Sequence, residues 1–437
     1  MKITVIGTGY LGAVHAACMA RIGHEVLGVD SNPDRVSALA AGKPPFFEPG
    51  LDDLLSETLA TGRLRFSSSL AEAAEFGEAH FLCVGTPQST TSNAADLRYV
   101  KAAVSDLAPR LTRPCTVIGK STVPVGTAQQ LAERLRASAP AGDQVQLVWN
   151  PEFLREGFAI ADTLEPDRIV IGTESPAGIA VMRELYEPML AAGTPFISTD
   201  FATAELVKVA ANAFLATKIS FINAMAEVCE ATGADVTQLA EAIGHDDRIG
   251  SKFLRAGLGF GGGCLPKDIR AFMARAGELR VDQALTFLRE VDEINLRRRR
   301  HAVDLARICL DGHLAGRRIA CLGAAFKPNS DDVRDSPALD VAAALQVEGA
   351  NVRVYDPKAA EAGARDYPTL GFTATLDEAL EQADLIMVLT EWEEFRAMDP
   401  TDVGRIVKRP AIIDARNCLD PQLWREAGWH YRGFGRP

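Results

Sequence analysis

The sequence predicts an α/β protein: two doubly wound parallel-sheet domains joined by a central all-helical segment with a long spine helix. Three observations predict it. Short β-branched runs alternate with helical stretches over residues 1 to about 195, no good strand occurs from about 200 to 300, and strands return from about 315 to 437. The expected domains are 1–198, 199–312 and 313–437, which suits a chain of 437 residues.

The first 30 residues set the plan. KITVIG reads as a strand, GTGYLG as a glycine turn, AVHAACMARIG as a helix and HEVLGVD as a second strand ending in acid. That order is a βαβ unit and implies parallel pairing. Further strands are expected at AHFLCVGTP, PCTVIGKST, QVQLVWNPE and DRIVIGT. The stretch DFATAELVKVAANAFLATKISFINAMAEVCEATG reads as one long helix, opened by the cap-like Thr199-Asp200 and stopped by Gly233. Helices also cover VTQLAEAIG and the segment from Asp268 to about Leu310, and a helical middle of this kind suits a dimer interface. RRIACLGAAF, NVRVYD, ADLIMVLTE and AIIDARN form a second parallel unit. It lacks the glycine pattern of the first, so the two are not an obvious tandem repeat.

Composition limits the function. A net charge of −12 argues against a protein built to grip nucleic acid. The RRRR run at 297–300 is expected to be a solvated helix face or an interface. The N-terminus lacks the regions of a signal peptide, and no uninterrupted apolar run reaches the roughly 20 residues of a membrane span. Eight scattered cysteines without a CxxC pair read as reduced thiols of a cytoplasmic protein. Seven histidines show no HxH or HExxH spacing, so no metal is expected.

Gly7, Gly9 and Gly12 make GxGxxG after a strand, at a helix start, with Asp30 ending the next strand. The first glycine permits the turn, the second lets the backbone approach a pyrophosphate, and the third lets helix and strand pack closely. The helix N-terminus supplies free N–H groups to the phosphates. Asp30 can accept from ribose hydroxyls and would repel a 2′-phosphate, so NAD is expected over NADP; Arg35 weakens that preference. Thr86 in VGTP and Thr122 in KSTVPVGT stand at strand ends, where ligands of such sheets bind.

A thiol stands in GFGGGCLPKD, residues 259–268. Three glycines remove bulk and let a substrate approach the backbone. Pro266 suits the first helical position, which places Cys264 just before a helix N-terminus with Lys267 one turn on, and both features stabilise a thiolate. Asp268 follows within one turn, suited to act as a base through water. Lys208 and Asn212 share one face of the long helix in an otherwise apolar stretch. Glu152, Arg155 and Glu156 lie in NPEFLREG, a turn at the ligand edge of the sheet. A nicotinamide cofactor beside a thiol suggests oxidation of an alcohol to an aldehyde, capture as a thiohemiacetal, a second oxidation to a thioester, and hydrolysis to an acid.

From MKITVIGTGYLG through NPEFLREG, KVAANAFLATKISFINAMAEVCE and GFGGGCLPKD to AFKPNSDDVRDSP, the chain resembles the UDP-glucose 6-dehydrogenase family, within the nucleotide-sugar 6-dehydrogenases. The resemblance implies two NAD reduced per UDP-glucose, with Cys264 as nucleophile. Lys208 and Asn212 would stabilise the oxyanion. Asp268, Thr122 and Glu152 would position or activate water, with Glu152 suited to thioester hydrolysis. Lys208, Asn212, Glu152, Phe153, Leu154, Arg155, Glu156, Phe253, Leu254, Arg255, Gly257, Phe260, Gly261 and Lys327 would hold the sugar nucleotide. Gly7, Gly9, Tyr10, Leu11, Gly12, Asp30, Arg35, Thr86, Thr122, Glu156, Lys267 and Arg334 would serve NAD. The N-terminal domain would bind NAD and the C-terminal domain the UDP part, in a homodimer or higher oligomer without nucleic-acid or membrane partners.

The chain departs from the family pattern at Gly263, where serine is usual, and at Leu265, where phenylalanine is usual. The loop PQSTTSNAADLRYV also lacks the Asp-Gly often found there. A GDP-mannose or UDP-N-acetylmannosamine 6-dehydrogenase shares the same motifs. A two-electron hydroxyacid dehydrogenase would not need Cys264, and a sensor of NAD or nucleotide sugar would turn nothing over.

Overall fold

The computed structural model describes all 437 residues, Met1–Pro437. Two compact units result: Met1–Ala211 with Arg270–Leu279, and Asn212–Ile269 with Arg280–Pro437. The first holds eight strands: β1 (Lys2–Ile6), β2 (Glu25–Val29), β3 (Leu64–Ser67), β4 (Ala79–Leu82), β5 (Cys115–Gly119), β6 (Val145–Trp149), β7 (Ile169–Gly172) and β8 (Phe196–Thr199). Their order is β3-β2-β1-β4-β5-β6-β7-β8. Side chains alternate between two cores: Ile3 and Val5 of β1 pack with the helix Tyr10–Arg21 on one face, and Ile6 packs with Leu27 and Val29 on the other.

Pairing is parallel except between β6 and β7, which meet antiparallel at Trp149 and Gly172. Strands β3 and β8 escape the sequence reading because LRFS is followed by serines and FIST is short and half-exposed. The loop after β4 closes as a small hairpin without Asp-Gly, bridging Gln88 to Ala95.

The second unit is a six-stranded, all-parallel sheet: β9 (Arg318–Leu322), β10 (Asn351–Tyr355), β11 (Gly371–Phe372), β12 (Leu385–Val388), β13 (Ala411–Asp414) and β14 (His430–Gly433). Its order, β11-β10-β9-β12-β13-β14, repeats that of the first six strands. The likeness extends to the first turn. Gly7 (φ +90°) donates to the Val29 carbonyl at 2.8 Å, and Gly323 (φ +116°) donates to the Tyr355 carbonyl at the same distance. Asp30 accepts from the N–H after Gly7, and Asp356 from the N–H after Gly323. The two units thus repeat one another in backbone, although the sequence shows no obvious tandem repeat. The second and third glycines are replaced by Ala325 and Pro328, and the helix that follows begins only at Pro337.

The spine helix runs Phe201–Thr232. Asp200 caps it, accepting from the Thr203 N–H at 2.8 Å, and Gly233 (φ +75°) ends it. Its length and apolar composition would suit a bilayer, beyond what the apolar run lengths suggest, but Glu205, Lys208, Asn212 and Asn223 are among its buried residues. The arginine run also departs from expectation. On the helix Phe287–Cys309, Arg297 and Arg300 are exposed, but Arg298 is fully buried against Glu230 and the Phe434 ring. Arg299 is buried between Asp335 and Asp340.

Candidate active site

The glycine turn of the first unit is fixed by sterics. A Cβ on Gly12 would overlap the Gly7 carbonyl oxygen, and Gly7 lies in the left-handed region. A Cβ on Gly9 would meet nothing within 4 Å, and no side chain caps the helix that Gly9 opens. Gly9 is thus the glycine whose bareness serves an incoming group rather than the fold. A pyrophosphate fits here: open space, free N–H groups and a helix N-terminus coincide. Asp30 is nearly buried and accepts from Thr8 N–H (2.8 Å), Asn32 N–H (2.9 Å) and Arg35 (3.0 Å). Burial pushes its carboxyl up, but these donors outweigh burial and hold it below its ordinary value. Arg35 is therefore spent on Asp30.

At the neighbouring strand ends, Thr86 Oγ1 donates to the Thr122 carbonyl at 2.7 Å and Ser121 Oγ to the Val84 carbonyl at 2.6 Å. In the NPEFLREG loop, Glu152 accepts from the Leu154 N–H at 2.6 Å and pairs with Lys208 Nζ at 2.9 Å, both side chains largely buried. The Phe153 ring lies beside Lys208 and Arg168. Arg155 turns away to Asp162, as a bidentate pair on the exposed side.

In the second unit, Cys264 directly precedes the helix Leu265–Glu278, and its carbonyl accepts from the Asp268 N–H at 2.9 Å. Pro266 is the second helical residue rather than the first. Cys264 is the one exposed cysteine; six are buried and Cys418 is half-buried. Burial pushes the thiols of Cys18, Cys83 and Cys321 up to about 12, which leaves them inert. Asp268 is buried. Its carboxylate accepts from Asn212 Nδ2 at 2.7 Å and pairs with Lys267 at 2.5 Å.

The glycine loop before Cys264 is held on three sides. Asn295 pairs with both backbone groups of Phe260, at 2.7 and 2.9 Å. Arg416 donates to the Gly259 carbonyl at 2.8 Å, and Gly262 N–H donates to the Arg334 carbonyl at 2.9 Å. A Cβ on Gly261 would overlap the Asp335 carbonyl, so this loop runs backbone against backbone. Upstream, in FLRAG, Gly257 N–H donates to Asn223 Oδ1 at 2.8 Å, and a Cβ on Gly257 would sit 2.6 Å from the Ala415 carbonyl. Phe253 (φ +66°) and Arg255 are exposed, whereas Leu254 is buried. Lys327 lies over the Phe326 ring, 5.2 Å from its centroid.

Three matches to family models now bear on the chain. Residues 1–190 match the NAD binding domain of the UDP-glucose/GDP-mannose dehydrogenase family, 202–297 its central domain, and 320–421 its UDP binding domain. The chain belongs to that family. It is 43% identical to the UDP-glucose 6-dehydrogenase of Rhizobium meliloti (strain 1021) over 439 residues, covering all of both chains. It is 42% identical to UDP-glucose 6-dehydrogenase TuaD of Bacillus subtilis (strain 168), over all of this chain and 93% of the relative. Among solved structures, a UDP-glucose dehydrogenase from Pyrobaculum islandicum superposes with a TM-score of 0.91 at 38% identity, over 100% of this chain and 98% of the other. UDP-D-ManNAc dehydrogenase from Pyrococcus horikoshii gives 0.87 at 28% identity, over 100% and 99%.

Against the family pattern, Gly263 gains a physical context: an added Cβ would run into the Arg334 guanidinium. Arg334 itself is bidentate to Asp332. Other residues of the site escape the sequence reading. Buried Glu48 accepts from the Gly157 and Ala159 N–H groups (2.6 and 2.7 Å) and from Tyr10 Oη, so it pins the end of NPEFLREG. Burial and Glu48 push the Tyr10 phenol up. No local signal points to Glu48, because its backbone partners lie more than 100 residues away and Tyr10 lies 38 away. Glu205 is different: it precedes Lys208 by three on the same polar stripe of an apolar helix, and that stripe could have revealed it.

Proposed function

We propose that this protein oxidises the C6 alcohol of UDP-glucose to the carboxylate of UDP-glucuronate, reducing two NAD. The observation that carries the reading is Cys264: one exposed thiol at a helix N-terminus, whose carbonyl accepts from the N–H of buried Asp268, itself bonded by Asn212, in a chain of this family. A two-electron dehydrogenase has no use for it.

Two NAD molecules, bound one after the other, would each accept one hydride, and Gly7, Gly9, Gly12 and Asp30 would hold them. Lys208 receives the alcohol proton as the first hydride leaves, and its ion pair with Glu152 holds the side chain in place. The Cys264 thiolate adds to the resulting aldehyde, and Asn212 stabilises the alkoxide. Loss of the second hydride gives a thioester. Water, activated by Glu152 and oriented through Asp268 and Thr122, adds to the carbonyl and expels the thiolate. One alcohol and one water thus give one carboxylate, with two hydrides and three protons released.

Two further readings belong with this one. Phe214, Phe221 and Val228, seven residues apart along the spine helix, are 67%, 49% and 53% exposed, which supports a second copy of the chain as their cover. Eight free thiols suit a reducing, cytoplasmic setting. Assay against UDP-glucose, GDP-mannose and UDP-N-acetylmannosamine tests the substrate. UDP-glucose should be turned over at least tenfold better than either rival; preference for another overturns it. Sedimentation should give a dimer or larger; a monomer would discard the spine-helix interface.

A further inference from the structure

We infer that Glu205 and Arg275 are positioning residues that clamp the segment Thr122–Ala128 in the register hydride transfer requires. The inference rests on the reading of Thr122 as an active-site group. The segment leaves β5 at the ligand edge of the sheet. Its start is tied by Ser121 to Val84 and by Thr86 to the Thr122 carbonyl. Its end is tied locally by the Thr127 hydroxyl, which donates to the Pro124 carbonyl at 2.6 Å, but Gly126 (φ +93°) opens the helix Thr127–Ser138 and offers no capping side chain.

The missing cap comes from the spine helix. Glu205, 2% exposed, accepts from the Gly126 N–H through one carboxylate oxygen and from the Ala128 N–H through the other, each at 2.7 Å. A carboxylate here meets both the free N–H groups and the positive end of the helix. Arg275 closes the opposite side. Its Nε donates to the Val125 carbonyl at 3.0 Å, and its guanidinium lies 3.3 Å from where a Gly126 Cβ would be. Of the four residues Val125–Ala128, Val125, Gly126 and Ala128 are each bonded by Glu205 or Arg275, and the hydroxyl of Thr127 donates back to the Pro124 carbonyl.

The placement of Glu205 makes this more than a helix cap. Lys208 follows one turn later on the same helix and is ion-paired with Glu152. The proton-handling lysine and the Thr122 segment are thus referenced to one rigid element. A displacement of an ångström in such a reference can cost about 10²-fold in rate without any change in the reacting groups.

The test uses full-length protein carrying Glu205→Gln, Arg275→Met or both. Gln keeps the shape but turns an amide donor toward one of the two N–H groups. Glu205→Gln is expected to lower kcat by about 30-fold, leave the KM for UDP-glucose within about twofold, and recover partly in Glu205→Asp. Arg275→Met should lower kcat about tenfold. The double variant should fall no more than about twofold below the worse single, because both act on one segment. Two results overturn the clamp: kcat per folded molecule near wild type with only a lower Tm, or fully additive losses. Should Glu205→Gln fail to fold, Arg275→Met, at a partly exposed position, decides on the same readouts. Wild-type turnover is measured first: inactivity with every nucleotide sugar sinks the functional reading, whereas an active wild type with indifferent variants sinks the clamp alone.

Discussion

The side-chain amide of Asn212 donates to the carboxylate of Asp268 at 2.7 Å, and both groups are buried. A neutral amide suits this place because the carboxylate is already paired with the ammonium of Lys267. Asn212→Asp would set two carboxylates against each other, and one would have to hold a proton at neutral pH. The variant should therefore lose activity as the pH rises through the second ionisation of the new carboxyl pair. A kcat–pH profile from 5 to 9 checks it.

Lys208 and Glu152 share an ion pair, and the proposed mechanism gives them different steps, so their losses should differ in kind. Lys208→Ala should slow the first hydride transfer by about 10²-fold or more. Glu152→Gln should leave a first burst of NADH and accumulate an acyl group on Cys264, visible as added mass on the intact protein. An untouched first hydride transfer in Lys208→Ala would contradict the division.

The glycine turn gives a matched pair. Gly9→Ala meets open space, so it should keep the wild-type Tm and weaken NAD binding at least tenfold. Gly12→Ala overlaps the Gly7 carbonyl and should cost about 2 kcal/mol or more of stability. Calorimetric NAD titration beside thermal unfolding separates the two effects.

Acid should destabilise the first unit through His80. Burial lowers its pKa from 6.5 to about 4, and its Nδ1 is held at 2.8 Å by Thr4 Oγ1. Above pH 6.5 the ring is neutral folded or unfolded and contributes nothing. Below it the unfolded chain takes up a proton that the folded one refuses, so stability falls between pH 6.5 and about 4, by about 2 kcal/mol at pH 5. Buried His15 acts in the same direction. Denaturant titrations of wild type and His80→Gln at pH 7 and 5 should show a smaller acid loss in the variant.

Much of this was legible in the sequence because the signals are local. A strand, three glycines and an acid lie within 30 residues, and the spine helix announces both ends through Asp200 and Gly233. The cysteine's place before a helix could be read from three glycines, a proline and a lysine. What escaped depends on distance. β3, β11 and β14 are short and owe their strand form to neighbours. Arg298 looks like surface until Glu230 and Phe434 close over it. The second unit repeats the first in strand order and first turn, yet its acid, Asp356, is taken up by Ala324, Ala325, Lys358, Ala359 and Trp392, so the glycine pattern that would betray the repeat is not needed there.

The central claim is that Cys264 carries the second oxidation. The most direct measurement is the NADH yield per UDP-glucose consumed, for wild type and Cys264→Ala. Two NADH from wild type, with loss of the complete reaction in the variant, is the predicted result. One NADH from both would make Cys264 a structural residue and contradict the account.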